Sequence, residues 1–264
     1  MTAGNRGNQN MRRKQSNNVK LLSRYRYIYC LIESRKKCYL QCSGVGGAGI
    51  SMVHFKDLAA VVSEATNEKY EILDEGVSHE KVVETIQKNY CVLPMGFGQI
   101  TTEQDIKGFL NKNYSHLKRL FSELEGKTEL SLKVMLKMDN LLQDITASDR
   151  KINHLQQKIA SESEDAAYYD KIEMGKLVED QVKKTGDRIT SDIIRELQTH
   201  SEKYCKNQNL TEEMILNGVF LVKKENEPAF DRAVDAIEEK YGDRVEIRYV
   251  TSPPYDFADL RIRR

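Results

Sequence analysis

Between residues 129 and 138 the chain alternates apolar and polar side chains with one lapse. Leu130, Leu132, Val134, Leu136 and Met138 share one face, Glu129, Ser131, Lys133 and Lys137 share the other, and Met135 is the exception. A period of two belongs to a β-strand lying on a core with its back to solvent, so the rest of the chain must supply neighbouring strands and a cover. Residues 214–222 are apolar on both faces apart from Asn217, which suits a central, doubly covered strand. Val245, Ile247 and Tyr249 alternate with Glu246 and Arg248 in a further strand. Between these two, Asn226, Glu227 and Pro228 open a helix over 226–241 and Gly242 closes it.

The segment 139–206 is polar and helical in pattern. Leu141, Ile145, Ile152, Leu155 and Ile159 fall at steps of 4, 7, 3 and 4, an a/d-like seam with Ser148 in its gap. A second stripe runs through Tyr168, Ile172, Val178, Val182, Ile189, Ile193, Leu197 and Tyr204. Unbroken, it would approach ~60 Å at 1.5 Å per residue, with Gly175 and Gly186 as weak points. Two such stripes predict a helical hairpin that either folds on itself or offers its seam to a partner. The acidic run Ser161–Asp165 reads as the first turn of a helix. Strand, helical insertion, strand, helix, strand describes an α+β domain over 126–264, a modified ferredoxin-like sandwich with the insertion at 139–206.

A second α+β domain is expected over 23–125. Tyr25, Tyr27 and Tyr29 alternate with Arg24, Arg26 and Ile28 in a strand, glycines at 44–49 make a turn, and 50–55 and 58–63 are strands broken at Asp57. Ser78 is the expected N-cap of a helix near 79–89 with Val82, Val83 and Ile86 inward. Cys91–Met95 reads as a short strand ending at an edge, because of Pro94. Thr102 caps a helix with Ile106, Phe109 and Leu110 inward. Another helix carries Leu117, Leu120, Phe121 and Leu124 and stops at Gly126.

Composition excludes several classes of function. Among 264 residues, 31% are charged and the formal net charge is +1, which gives no global bias toward nucleic acid or acidic lipid. No apolar run approaches the roughly 20 residues that span a bilayer, and the N-terminus lacks the apolar core of a secretory signal. The expected location is the cytoplasm. Five cysteines, an odd number, argue against a disulfide framework. Residues 1–22 form a basic, polar tail, with Arg6, Arg12, Arg13, Lys14 and Lys20 and no acidic residue, expected to be disordered.

Catalytic constellations are absent from the pattern. Gly44, Gly46 and Gly49 satisfy G-x-G-x-x-G, but a dinucleotide site needs a helix opening directly behind them, and 50–55 reads as strand. Cys30, Cys38, Cys42 and Cys91 lack the paired spacing of a zinc site. The five histidines, His54, His79, His116, His154 and His200, are scattered. His79 beside Glu80 is read as a solvated residue in a helix's first turn. No metal, cofactor or catalytic residue is assigned.

Five segments carry a family likeness. They are DLAAVVSE (57–64), VLPMGFGQI (92–100), AAYYDKIEMGKL (166–177), LNGVFLV (216–222) and YVTSPPYDF (249–257). In this order the chain, from about Tyr25 to its end, resembles the gas vesicle accessory proteins of the GvpF/GvpL family, and the Tyr-Tyr segment leans toward GvpF. The resemblance implies two α+β domains and a gas-vesicle-associated accessory protein. It would bind the very apolar major shell protein GvpA, and other accessory proteins too, as a chaperone-like adaptor or a minor shell component. Two departures qualify it. Thr251 and Ser252 stand where the family ending commonly holds a Trp and an extra Gly-Pro, and Gly96 replaces the family's usual Arg. The helical seam Leu141, Ile145, Ile152, Leu155 and Ile159 is the expected partner surface. Tyr255 and Phe257, after the stiff Pro253-Pro254 corner, are further candidates, although plugging the second domain's core is the first expectation for them. The alternatives are an enzyme on the ferredoxin-like scaffold, and a nucleic-acid binder using the tail and the Tyr/Arg strand at 24–29.

Overall fold

The computed structural model describes residues 24–36, 42–163, 165–260 and 262. The basic tail and Cys38 lie outside them. The chain is α+β and divides into two compact units. The first runs up to Gly126 and takes in the chain from Pro253 onward. The second is Lys127–Ser252.

The first unit is built around β1 (Tyr25–Glu33), joined by β2 (Ile50–Phe55) and β3 (Leu58–Glu64), helix α1 (Ile72–Gln87), the short strands β4 (Val92–Pro94) and β5 (Ile100–Thr102), and helices α2 (Glu103–Lys112) and α3 (Tyr114–Leu124). The sheet order is β2-β3-β1-β4, and β5 pairs with β1 beyond β4. Every pairing is antiparallel. β1 is buried over most of its length, which only a strand bonded on both sides can sustain without orphaned backbone groups. A bulge between Ile28 and Cys30 shifts the register against β3, so Tyr27, Tyr29, Cys30 and Ile32 all join one apolar cluster with Val82, Val83 and Ile86 of α1.

Helix α1 begins at Ile72, seven residues ahead of the expected start, and Ser78 is internal to it. The apolar residues of its first turns, Leu73 and Val77, are out of phase with the inward face at Val82, Val83 and Ile86, so core periodicity alone does not reveal them. Thr102 caps α2 as expected, its hydroxyl accepting from the Asp105 amide at 3.2 Å. Gly126 stands just past α3 with φ of 72°, the left-handed conformation that glycine adopts without a Cβ penalty.

The second unit opens with β6 (Lys127–Leu136), followed by α4 (Met138–Ser148), α5 (Arg150–Ser161) and α6 (Tyr168–Gln198). Then come β7 (Lys203–Lys206), β8 (Met214–Lys223), α7 (Glu227–Tyr241) and β9 (Val245–Ser252). The antiparallel order β7-β8-β6-β9 gives β-α-β-β-α-β connectivity with extra helices in the first crossover. Leu130, Leu132, Val134 and Leu136 meet Leu216, Phe220 and Val222 from β8, Ile189, Ile193 and Leu197 from α6, and Phe230, Val234 and Ile237 from α7 in one core. Burying each such side chain favours folding by about 1.5–3 kcal/mol, against about 0–1 kcal/mol for a surface ion pair such as Arg244–Asp144. The apolar layer therefore dominates.

Several expectations change. The insertion is three helices and not two, since α4 ends at Ser148 and Asp149 caps α5 by accepting from the Lys151 and Ile152 amides. The acidic run follows the end of α5 instead of opening a helix. Tyr204 lies in a strand that the helical stripe had hidden, and Met138 starts a helix. Glu129, placed on the solvent face by alternation, is buried and accepts a hydrogen bond from the Ser252 hydroxyl at 3.1 Å.

The expected partner seam is largely used within the unit. Leu141, Ile145, Ile152 and Leu155 are buried and Ile159 is half-buried, and Leu141, Ile145 and Ile152 belong to the core itself. Replacing Leu155 with Ala is thus expected to cost about 2–4 kcal/mol of stability, measured as a lower urea midpoint with an unchanged m-value. A midpoint equal to that of the parent protein would show that Leu155 is not a core residue.

Candidate interaction surfaces

The buried polar groups of the first unit converge on His79. Its Nδ1 lies 2.9 Å from the Tyr27 hydroxyl, which also accepts from the Gly98 amide at 3.0 Å. The Tyr29 hydroxyl pairs with Ser63 Oγ at 2.9 Å and accepts from the Val45 amide at 2.9 Å. The rings of Tyr27, Tyr29, Phe97 and Tyr255 stand around the imidazole at centroid separations of 5.5–6.4 Å. His79 is 2% exposed, contrary to its reading as a solvated residue. Position 79 stands three, four and seven residues before Val82, Val83 and Ile86, so it shares their inward face of α1. The glycines at 44–49 serve this cluster. Val45–Gly47 is a 3₁₀ turn and a strand follows, and a Cβ on Gly44 would sit 2.0 Å from the Tyr29 hydroxyl.

Electrostatically the cluster is inert. Burial lowers the His79 pKa to about 4, opposed only in part by the Met95 backbone, and Nε2 has no partner of hydrogen-bond geometry. Burial raises the pKa values of Tyr27, Tyr29 and Tyr255. All four groups are neutral near pH 7, and so depressed an imidazole is a weak base. Tyr27 and Tyr29 are fully buried and cannot stack bases from solvent, while Tyr25 is half-buried. Among the described residues no group of three or more His, Cys, Asp or Glu side chains could hold a metal ion. Cys30, Cys42, Cys91 and Cys205 form no disulfide with one another.

The C-terminal segment belongs to this unit, whereas the sequence reading assigned it to the second. Pro253 and Pro254 are buried, Tyr255–Ala258 forms one short helix, α8, and Leu260 bridges Met95 in parallel. Tyr255 reaches the His79 cluster and Phe257 is half-buried. Thus Tyr255 fills a space inside the first unit, where aromatic neighbours were already assembled.

Large apolar side chains face solvent at two helix starts. On α6, Tyr168, Tyr169 and Ile172 are exposed, Tyr169 by 80%. At 3.6 residues per turn Ile172 falls between the two tyrosines, whose rings meet edge to face at 5.4 Å. Ion pairs Lys158–Asp170 and Lys151–Glu173, each 2.7 Å, tie this start of α6 to α5. On α1, Ile72, Leu73 and Val77 are exposed, Leu73 by 94% and Val77 by 76%. Farther along α6 a groove of about 500 Å³ has Leu136, Val182, Met214 and Ile215 in its lining, and Gly186 lets Ile215 approach the helix closely. In the sequence Tyr168 and Ile172 belong to the second helical stripe, which could fold inward or face a partner, and Leu73 and Val77 fall outside any predicted helix. Their hydrophobicity was visible, but their phase against the core was not.

Comparison with known proteins places this architecture. The family model described as gas vesicle synthesis protein GvpL/GvpF matches residues 25–259. The chain belongs to that family. Gas vesicle protein F of Dolichospermum flosaquae is 28% identical over 240 residues, covering 89% of this chain and 97% of the relative. That of Microcystis aeruginosa is 30% identical over 189 residues, covering 70% and 77%. The crystal structure of GvpF from Anabaena sp. PCC7120 superposes with a TM-score of 0.78 at 25% identity, and that from Microcystis aeruginosa with 0.73 at 26%. Each comparison covers 90% of this chain and all of the other. The relatives' names are those of gas vesicle proteins, and an accessory role in gas vesicles follows for this chain. No helix among the described residues is long and apolar enough to cross a membrane.

The neutral, buried imidazole makes stability depend on pH. In the unfolded chain His79 titrates near 6.5, and in the fold near 4, so the unfolded state binds more protons between these values. Stability is full above about pH 6.5 and falls as pH drops toward 4, by up to about 3 kcal/mol at 1.36 kcal/mol per pKa unit. A His79→Phe variant should lose that part of the acid slope in melting temperature between pH 7 and 4.5. An identical slope would show that His79 does not contribute it.

Proposed function

We propose that the protein binds the small, apolar major shell protein GvpA and assists its entry into a growing gas vesicle, as a chaperone-like adaptor or a minor shell component. The observation that carries this reading is the Tyr168–Tyr169–Ile172 patch. Two tyrosines and an isoleucine stand in water at the start of a 31-residue helix whose later turns are anchored in a core. Exposed apolar groups clustered on a rigid element mark interaction sites, and tyrosine gives large contact area with little entropy to lose. An apolar shell subunit needs such a cover, because its greasy face aggregates when it meets water. The names of the relatives, which are those of gas vesicle proteins, support binding over catalysis. The same surfaces leave room for contacts with other gas vesicle accessory proteins.

The test is co-purification with GvpA expressed in the same cells. The intact protein should retain GvpA. Tyr168→Ser with Tyr169→Ser should lose at least tenfold of it while the melting temperature moves little, because exposed substitutions usually stay within about 0.5 kcal/mol. Failure of the intact protein to retain GvpA would end the assignment.

A further inference from the structure

Helix α1 presents a surface that the fold does not use. Taking 100° per residue, Leu73, Val77, Glu80 and Glu84 fall within about 60° of one another on the side opposite Val82 and Ile86. All four are exposed. The stripe is therefore apolar for its first two turns and carries Glu80 and Glu84 in the next two, with the exposed Lys81 and Lys88 beside it on the Asp74 flank. Asp74 is exposed on one flank and Ile72 on the other. Between residues 68 and 88 there are six carboxylates and three lysines. One of those lysines, Lys69, is already paired with Glu71 at 3.2 Å. The helix start is held in place, since the Glu75 carboxylate accepts from the Gly46 amide at 3.0 Å and His79, Val82 and Val83 are buried beneath. Leu73 and Val77 thus ride on an anchored helix, and nothing in the fold of this unit calls for leucine or valine there. An exposed leucine one turn from an exposed valine adds nothing to the core.

We propose that the outer face of α1 is a docking surface for an amphipathic helix of a protein partner. Its apolar side would lie over Leu73 and Val77, and its basic residues would meet Glu80 and Glu84. Charge complementarity sets the partner's chemistry. A helix with acidic flanks would place like charges against two exposed carboxylates, whereas lysine or arginine there gains attraction and speeds encounter. Two exposed apolar residues one turn apart on a helix face, as Leu73 and Val77 are, fit helix-on-helix packing. This surface is in the first unit and is separate from the α6 tyrosines, so it stands whether or not those tyrosines bind shell protein.

The full-length protein is titrated into two labelled helical peptides with identical leucine faces, one flanked by lysines and the other by glutamates, and fluorescence anisotropy is read at low and physiological salt. The basic peptide should bind at least tenfold more tightly than the acidic one and weaken as salt rises. Leu73→Ser with Val77→Ser should lower its affinity at least tenfold with an unchanged melting temperature. Glu80→Lys with Glu84→Lys should reverse the charge preference. The Tyr168→Ser, Tyr169→Ser variant should bind it as the parent does, which separates this surface from the GvpA reading. Equal binding of both peptides, or basic-peptide binding untouched by the α1 variants, would overturn the proposal, as would no binding of either peptide.

Discussion

Each unit depends on a strand that has neighbours on both sides. β1 lies between β3 and the β4/β5 pair, and β6 lies between β8 and β9. A buried strand's amides and carbonyls cannot go unpaired at a cost of about 1–3 kcal/mol each, so the flanking strands are obligatory once the central one is apolar. The helices follow from the same requirement. One face of β6 is a ladder of aliphatic side chains, and α6 and α7 are the elements that keep it dry. The long insertion is partly explained by this need, because α4 and α5 complete the cover through Leu141, Ile145 and Ile152.

The first unit adds a polar problem inside an apolar solution. Two tyrosine hydroxyls and an imidazole are buried together, and each hydroxyl has an amide donor besides its side-chain partner. Rotating either tyrosine ring would break two hydrogen bonds of a buried hydroxyl, which holds both rings in place. Gly44 and the turn that follows are shaped to it, and Tyr255 completes the aromatic wall from the far end of the sequence. The cluster resembles an active site in composition, but neutralisation by burial makes it a core. On the outside, helices anchored from beneath carry apolar groups that the cores do not need.

Much of this was legible in the chain itself. The alternation in β6, the doubly apolar β8, the Thr102 cap, the Gly126 stop and the Pro228 start all announce local structure through chemistry acting over a few residues. The five family segments likewise sit in sequence order, and no folding is needed to read them. The three-helix insertion was harder, because Asp149 ends one helical pattern and caps the next without breaking the apolar period. β7 was hidden for a related reason: four residues with one apolar ring cannot be told from the tail of a helix.

The sequence alone determined the α+β class, the longer strands and the family, since these rest on periodicity, caps and ordered motifs, whereas the short β5 and β7 escaped it. Only the tertiary structure decided which apolar residues are spent and which are left over. Leu141 to Leu155 looked available and are buried. Leu73 and Val77 lay outside any predicted helix, Tyr168 lay in a stripe with two possible fates, and all of them, with Tyr169, are exposed. His79 looked solvated and is buried, and the last residues looked like part of the second unit and join the first. Exposure depends on what lies opposite in space, and a helix's phase against a distant sheet is fixed by long-range packing that no local pattern encodes.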